Sequence, residues 1–211
     1  MLMLLRRFHI SLSVLRRWVG DFLTFSGHKM MGPSGTGALW GSIENLESLK
    51  PFLLGGETVT NSSLSGFDLE GVPARFEAGL QDYAGIIGFG AAADYLKRIG
   101  MERVSEHESL LNKELTSGLG DYERVMILGP DDPADRGSIV SFTVKGVRPH
   151  EIAGLLSSSA NVCVRSGMHC VHSWFNEHRI EGSVRASFGV YNSSEEVGAF
   201  LRAFKSVMSI V

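Results

Sequence analysis

The chain has 211 residues, of which 44% are hydrophobic and 20% charged, and its formal net charge is −3. This composition is typical of a globular protein, and the slightly acidic balance argues against nucleic acid or an anionic membrane as a partner. Two cysteines, Cys163 and Cys170, are too few for a disulfide framework. They indicate a reducing compartment, which predicts a cytoplasmic location.

Residues 1–20 differ from the rest of the chain, because they carry four arginines and no acidic residue before Asp21. Their apolar runs are too short to span a bilayer, and no small-residue cleavage site follows them. We interpret them as an N-terminal extension. A basic amphipathic presequence and a start other than the natural one are the alternatives.

The hydrophobic pattern of the first part of the chain predicts two strands followed by helices. Ser42 is suited to cap a short helix. In a longer helix, an apolar face that includes Ile86 and Ile87 is predicted to be buried, and many small residues predict close packing against another element. The predicted elements are a buried strand over 21–25, a strand over 37–41, a helix over 43–49, an ordered loop or hairpin over 55–75, and helices over 82–100 and 101–119.

The second part of the chain has the pattern of a small α+β domain over residues 121–211. Pro149 is placed to open a helix. The predicted elements are strands over 124–128, 138–144, 161–165 and 183–188, a polar turn over 129–136, and helices over 149–158 and 194–209.

Lys29 follows a short apolar run and precedes a segment, 32–37, that is rich in glycine. The glycines let the backbone approach a ligand closely, and a lysine at the end of a buried strand can lose solvent and form a Schiff base with an aldehyde cofactor. The alternative is a surface lysine on a glycine-rich turn. A nucleotide phosphate loop is excluded, since no Lys-Ser or Lys-Thr follows the last glycine.

A second cluster lies where a predicted strand ends, with Arg165, His169 and Cys170 close in sequence and Arg185 on the next strand. Neighbouring positive charge favours a reactive cysteine, and paired arginines suit a carboxylate held in bidentate fashion. The alternatives are a structural cysteine with arginines in salt bridges, and a zinc or copper site built from His169, Cys170 and His172.

Four motifs in register carry a resemblance to a known family. They are residues 26–33 (SGHKMMGP), 75–79 (RFEAG), 165–170 (RSGMHC) and 185–192 (RASFGVYN). The chain from residue 21 onward resembles the group II cysteine desulfurases, which belong with selenocysteine lyases to the class V aminotransferase superfamily. The resemblance implies an α/β fold, the C-terminal part of a fold-type I pyridoxal-phosphate transferase. Residues 21–120 would form part of the large-domain sheet with its helices, and 121–211 the small domain.

The resemblance also implies a pyridoxal 5'-phosphate site. Lys29 is similar to the lysine that binds the cofactor covalently and moves the substrate α-proton, and His28 and Ser26 to neighbours of the cofactor phosphate. Family members form homodimers in which the segment ending at Gly79 and Leu80 contacts the phosphate bound by the partner subunit. Leu80 stands where threonine is usual, so a backbone N–H at 79 or 80 would replace the lost hydroxyl.

For the substrate, Cys170 resembles the nucleophile that takes sulfur from L-cysteine and leaves L-alanine and an enzyme persulfide. Arg185 is similar to the main clamp on the substrate carboxylate, with Arg165 assisting. The persulfide would pass to a sulfur-acceptor protein for iron–sulfur cluster assembly, and L-selenocysteine stays open as a substrate. A non-catalytic pseudoenzyme or sulfur carrier that retains Cys170 is the alternative function.

Departures from the family pattern limit these expectations. Met168 stands where histidine is common, and Cys163 replaces a small apolar residue, which predicts core packing. The aspartate that pairs with the pyridine nitrogen would fall near Met3, and no Asp-x-x-Gln pattern occurs there. We therefore hypothesise a frameshift or a truncated reading frame upstream of Asp21. Such a chain is expected to have an exposed sheet edge and weak or no activity alone.

Overall fold

The computed structural model describes residues 21–211, and the chain divides into two units, one ending at Met101 and one running from Glu102 to Val211. The interpretations of residues 1–20 lie outside the described residues. The division into 1–20, 21–120 and 121–211 remains a prediction. None of the helices formed by the described residues has both the length and the apolar character needed to cross a membrane.

The first unit is built from two antiparallel hairpins and two helices, in the predicted order. The strand β1 (Phe22–Ser26) pairs with β2 (Gly37–Gly41), and β3 (Val59–Ser62) pairs with β4 (Phe67–Leu69), which confirms the hairpin predicted within 55–75. A short helix, α1 (Ile43–Ser48), begins where the Ser42 hydroxyl accepts a hydrogen bond from the Asn45 N–H at 3.2 Å.

The prediction that β1 is a buried strand is wrong for most of its length. Leu23 alone among its five residues is buried, at 4% exposure. In the described part of the chain β1 has a single partner strand, β2, and the side chains of Leu39 and Trp40 on β2 are exposed.

The long helix α2 (Tyr83–Ile99) begins at Asp82, whose carboxylate accepts the Gly85 N–H at 2.9 Å, and it ends before Gly100. Its predicted apolar face is partly wrong, because Ile86 and Ile87 are 51% and 73% exposed. The face that packs inward includes small residues, and at Gly88 a close-lying loop leaves no room for a side chain. Its buried members are Gly85, Ala92 and Leu96.

The second unit is an antiparallel four-stranded sheet, with strand order β5-β6-β8-β7, together with helices. This confirms the predicted α+β character. Its strands are β5 (Val125–Leu128), β6 (Ile139–Val144), β7 (Arg165–Gly167) and β8 (Ser183–Ser187), and its helices are α3 (Met101–Gly120), α4 (Pro149–Ala160), α5 (His172–Glu177) and α6 (Ser194–Met208).

The core of this unit lies between the sheet and the helices α3, α4 and α6. Alternate residues of β6 point into it, as expected for a strand with one solvent-facing side. Its fully buried large side chains include Leu111, Leu115, Val140, Phe142, Ile152, Leu156 and Phe204.

Two predictions about residues 161–165 are wrong. The helix α4 continues to Ala160, and Asn161 takes the left-handed conformation (φ +54°) that caps it, so strand pairing starts only at Arg165. Cys163 lies in the unpaired connection and is exposed instead of packing in the core. The short helix α5 was not predicted.

Candidate functional site

Lys29 lies on a 3₁₀ turn, Gly27–Met30, that directly follows β1. The turn is closed at both ends by backbone hydrogen bonds, since the Gly27 N–H donates to Thr36 O and the Gly32 N–H donates to Gly27 O, both at 2.9 Å. Ser26 and Lys29 are half-buried, whereas His28 is exposed. The structure therefore brings Ser26, His28 and Lys29 together on one rigid turn.

The lysine turn and the loop after it pack on helix α2 at positions occupied by glycine. A Cβ atom on Gly32 would lie 3.0 Å from Phe89 Cδ2, and one on Gly88 would lie 2.8 Å from Pro33 Cγ. Phe25 and Phe89 meet edge to face, with ring centroids 6.0 Å apart. This confirms the close packing predicted from the small residues of the helix.

The segment that ends at Leu80 is held by two hydrogen bonds to backbone carbonyl oxygens. Arg75 Nε donates to Glu70 O at 2.8 Å, and the Gly79 N–H donates to Gly56 O at 2.9 Å. The Gly79 N–H is thus used within the chain, which leaves the N–H of the 89% exposed Leu80 as the candidate donor to a phosphate.

Cys170 is presented on a tight turn after β7. His169 and Cys170 both have positive φ, +51° and +65°, and the cysteine is exposed. The guanidinium of Arg165 donates to the Cys170 sulfur at an N–S distance of 3.8 Å. A nucleophilic sulfur carries negative charge when it attacks, so a positive group at this distance supports that role.

Arg165 and Arg185 are directly opposite each other in the pairing of β7 with β8, so their side chains lie on the same face of the sheet. Arg185 is half-buried and Arg165 exposed. Like charges at opposed positions are destabilising unless an anion lies between them or beside them. A pair of guanidiniums in this arrangement is suited to bind a carboxylate.

The structure does not bring together the ligands of the alternative metal site. Within residues 21–211, no three side chains of His, Cys, Asp or Glu converge as metal ligands would. His169 instead meets Ser183, with 2.8 Å between Nε2 and Oγ.

Two histidine–serine contacts on the segment that carries Cys170 were not predicted from the sequence. One joins His169 to Ser183, and the other joins His150 Nδ1 to Ser166 Oγ at 2.8 Å. No local sequence signal marks either pair, because the partners are 14 and 16 residues apart and meet only through the sheet and helix α4.

The chain combines an α/β fold with a lysine turn in one unit and a cysteine–arginine cluster in the other. The family model of the class-V aminotransferases matches its residues 9–200. The chain therefore belongs to the aminotransferase class-V family. The matched range begins within residues 1–20, before the first of the recognised motifs.

Within that family, the chain is similar to cysteine desulfurases. It is 41% identical over 181 residues to a probable cysteine desulfurase of Methanothermobacter thermautotrophicus, covering 84% of this chain and 45% of the relative. It is 38% identical over 190 residues to a cysteine desulfurase of Haloferax volcanii, covering 90% of this chain and 44% of the relative. The chain thus spans less than half the length of these curated relatives.

Solved structures agree with this placement. The apo cysteine desulfurase of Thermococcus onnurineus NA1 superimposes with a TM-score of 0.88 at 40% identity, over 93% of this chain and 49% of that chain. The cysteine desulfurase CsdA of Escherichia coli gives a TM-score of 0.87 at 29% identity, over 94% and 48%. The fold is therefore that of one part of a fold-type I transferase, as the resemblance implied.

Proposed function

We propose that this chain carries the lysine and the cysteine of a pyridoxal-phosphate-dependent cysteine desulfurase. In the proposed reaction, L-cysteine gives L-alanine, and its sulfur is transferred to Cys170 as a persulfide. The observation that carries the proposal is that one cysteine and two arginines lie together in the second unit. The thiol of Cys170 contacts Arg165, and Arg165 is paired across the sheet with Arg185.

The residues of the first unit fit the lysine end of a pyridoxal-phosphate site. Lys29 offers an amine on a turn whose glycines bring the backbone close, and Ser26 and His28 supply hydrogen-bonding groups beside it. Lys29, His28 and Ser26 would hold the cofactor, with the N–H of Leu80 from a second copy of the chain at its phosphate, since the Gly79 N–H donates to Gly56 O. When bound, pyridoxal phosphate supplies an electron sink for bond breaking at the substrate.

The chain's own residues then have separate tasks. Arg185 binds the substrate carboxylate, Arg165 assists and keeps positive charge at the sulfur of Cys170, and the amine of Lys29 accepts the α-proton. The thiolate of Cys170 attacks the substrate sulfur, so that one S–S bond forms as the C–S bond breaks. Atoms balance, because cysteine and a thiol become alanine and a persulfide.

Several finer assignments belong to the same proposal. L-Selenocysteine is a second substrate of the same chemistry, and the exposed position of Cys170 suits delivery of sulfur to an acceptor protein that serves iron–sulfur cluster assembly. A homodimer is part of the proposal, because Leu80 of one copy would contact the cofactor phosphate bound by the other copy. The two free cysteines support a cytoplasmic location.

The first test locates the cofactor. The full chain is incubated with pyridoxal phosphate, reduced with borohydride and mapped by peptide mass spectrometry. We expect the label on Lys29, its loss in Lys29→Ala, and its retention in Lys50→Ala, an exposed lysine of the same unit. Labelling spread over many lysines, or unchanged in Lys29→Ala, would overturn the cofactor assignment.

The second test locates the sulfur. The chain is incubated with pyridoxal phosphate and L-cysteine for a long time, because weak activity is expected of it alone. An added sulfur atom is expected on Cys170 and absent from Cys163, and the transfer is expected to stop in Lys29→Ala. If L-cysteine gives no transfer even to the original chain, while a small-molecule persulfide donor loads Cys170 equally well in the original chain and in Lys29→Ala, the sulfur-carrier alternative is favoured, because a thiol alone accepts sulfane sulfur but does not break the C–S bond of cysteine. Sulfur found on Cys163 instead of Cys170 would contradict both.

A further inference from the structure

The turn that presents Cys170 has an unusual backbone. His169 and Cys170 are consecutive residues with φ of +51° and +65°, and neither is a glycine. Side chains other than glycine, asparagine and aspartate seldom adopt this left-handed conformation, and it persists only where the surroundings hold it. Two such residues in a row therefore require a contact that fixes the turn.

The side chain of His169 supplies contacts on both sides of the turn. Its Nε2 lies 2.8 Å from the Oγ of Ser183, which is fully buried at the start of β8. Its ring meets the ring of Phe175 edge to face at a centroid distance of 6.0 Å, and Phe175 is the buried residue of helix α5. The imidazole of His169 thus connects the turn to strand β8 and to helix α5.

A close approach of two glycines makes the Ser183 contact geometrically accessible. A Cβ atom on Gly182 would lie 2.9 Å from the carbonyl carbon of Gly167, so the backbones touch at this point. Gly167 ends β7 and Gly182 precedes β8. Because the two backbones meet there, the residue two positions after Gly167 is within hydrogen-bonding distance of the residue after Gly182.

We propose that His169 is a positioning residue that locks the Cys170 turn, through Ser183, in the conformation that keeps the sulfur beside Arg165. The proposal rests on the proposed function in one respect, since the reactive sulfur is that of Cys170. Without the imidazole anchor, the two left-handed residues relax toward the common backbone regions. The sulfur then leaves the guanidinium 3.8 Å away.

The test compares the two cysteines of one molecule. Both are exposed, so iodoacetamide reacts with each in the full chain, and peptide mass spectrometry at fixed pH gives the ratio of the Cys170 rate to the Cys163 rate. Cys163 is an internal standard for unfolding and for reagent concentration. His178→Ala is the matched control, because that imidazole stacks on Trp174 at the end of helix α5 and its Nδ1 lies 2.8 Å from the Trp174 carbonyl oxygen.

Four variants separate the hydrogen bond from other roles of His169. His169→Ala and Ser183→Ala each remove one partner, and His169→Asn suits a left-handed backbone but is too short to reach Ser183. His169→Gln places an amide nitrogen near the original Nε2 and is expected to rescue. We expect the ratio to fall about fivefold in the Ala and Asn variants, the typical worth of one hydrogen bond, and to stay near the original value in His169→Gln and His178→Ala.

Several results would overturn the proposal. An unchanged ratio in His169→Ala and Ser183→Ala would show that the contact does not hold the turn. An unchanged ratio in His169→Asn alone would show that backbone preference, not the anchor, sets the conformation. Since alkylation needs neither cofactor nor substrate, these outcomes are independent of whether Lys29 is labelled or sulfur reaches Cys170.

Discussion

Replacement of Gly88 by alanine tests whether the lysine turn is supported by helix α2. The added Cβ would lie 2.8 Å from Pro33 Cγ, well inside van der Waals contact, and the proline ring cannot rotate away as a flexible side chain would. Overpacking of this kind typically costs about 1–3 kcal/mol. The turn that carries Lys29 must therefore shift or the helix must move.

Gly90→Ala in the same helix is the matched control. A Cβ on Gly90 would meet no atom within 4 Å, so this variant gains the ordinary benefit of alanine over glycine in a helix, about 0.5–1 kcal/mol. Gly88→Ala receives the same benefit but also incurs the clash. The free energy of unfolding should thus differ between the two variants by about 1–3 kcal/mol, with Gly88→Ala the less stable.

Urea unfolding followed by circular dichroism measures this difference, and hydrogen–deuterium exchange of the 27–37 peptide locates it. We expect faster exchange of that peptide in Gly88→Ala and unchanged exchange in Gly90→Ala. Equal stability of the two variants, or equal protection of 27–37, would refute the view that close packing on the helix holds the lysine turn.

Two further predictions concern the second unit. Asn112→Ala removes the buried amide that donates to Gly137 O at 2.6 Å and to Ile139 O at 3.0 Å, so both carbonyls lose that donor. It should lower the free energy of unfolding by about 3 kcal/mol, while Lys113→Ala, on the exposed side of the same helix, costs little. Burial raises the pKa of Glu108 above its ordinary 4.5, against smaller opposing effects of His107 and Ser138. The folded chain then holds this proton more tightly than the unfolded chain, so stability falls as pH rises from 4.5 through the raised pKa. Glu108→Gln should accordingly be more stable than the original chain at neutral pH. In urea titrations, the difference in the free energy of unfolding between the two chains should decrease toward pH 4.5. A difference that does not change with pH would contradict this.

The sequence was informative where the signal is local. The predicted cap at Ser42, the helix over 82–100 and the strand over 138–144 rest on side-chain chemistry within a few residues, and the structure has all three. The strand pairing of Arg165 with Arg185 could be anticipated only as two arginines on successive strands. Their register required the sheet.

The failures share one cause, which is that tertiary contact overrides local hydrophobicity. Ile86 and Ile87 are apolar yet exposed, because Gly85 and Gly88 provide the close face of the helix. Cys163 is exposed because its segment connects α4 to β7 without pairing. The contact of His169 with Ser183 could not be predicted from the sequence either. The two residues are 14 positions apart and meet only where the backbones of Gly167 and Gly182 touch.

The two halves of the candidate chemistry have different support. The cysteine cluster is attached to a unit with its own apolar core, in which aromatic rings such as Phe142 and Phe204 meet edge to face 5.4 Å apart. Among the described residues of the first unit, the fully buried hydrophobic side chains are Leu23, Ala92 and Leu96. Large apolar side chains of that unit, such as Phe52 and Leu80, are instead 98% and 89% exposed. Exposed apolar surface of this extent is what a partner surface covers. The conformation of the Lys29 turn therefore depends on local packing such as the contact of Gly88 with Pro33, whereas the Cys170 turn is attached to a unit with an apolar core of its own.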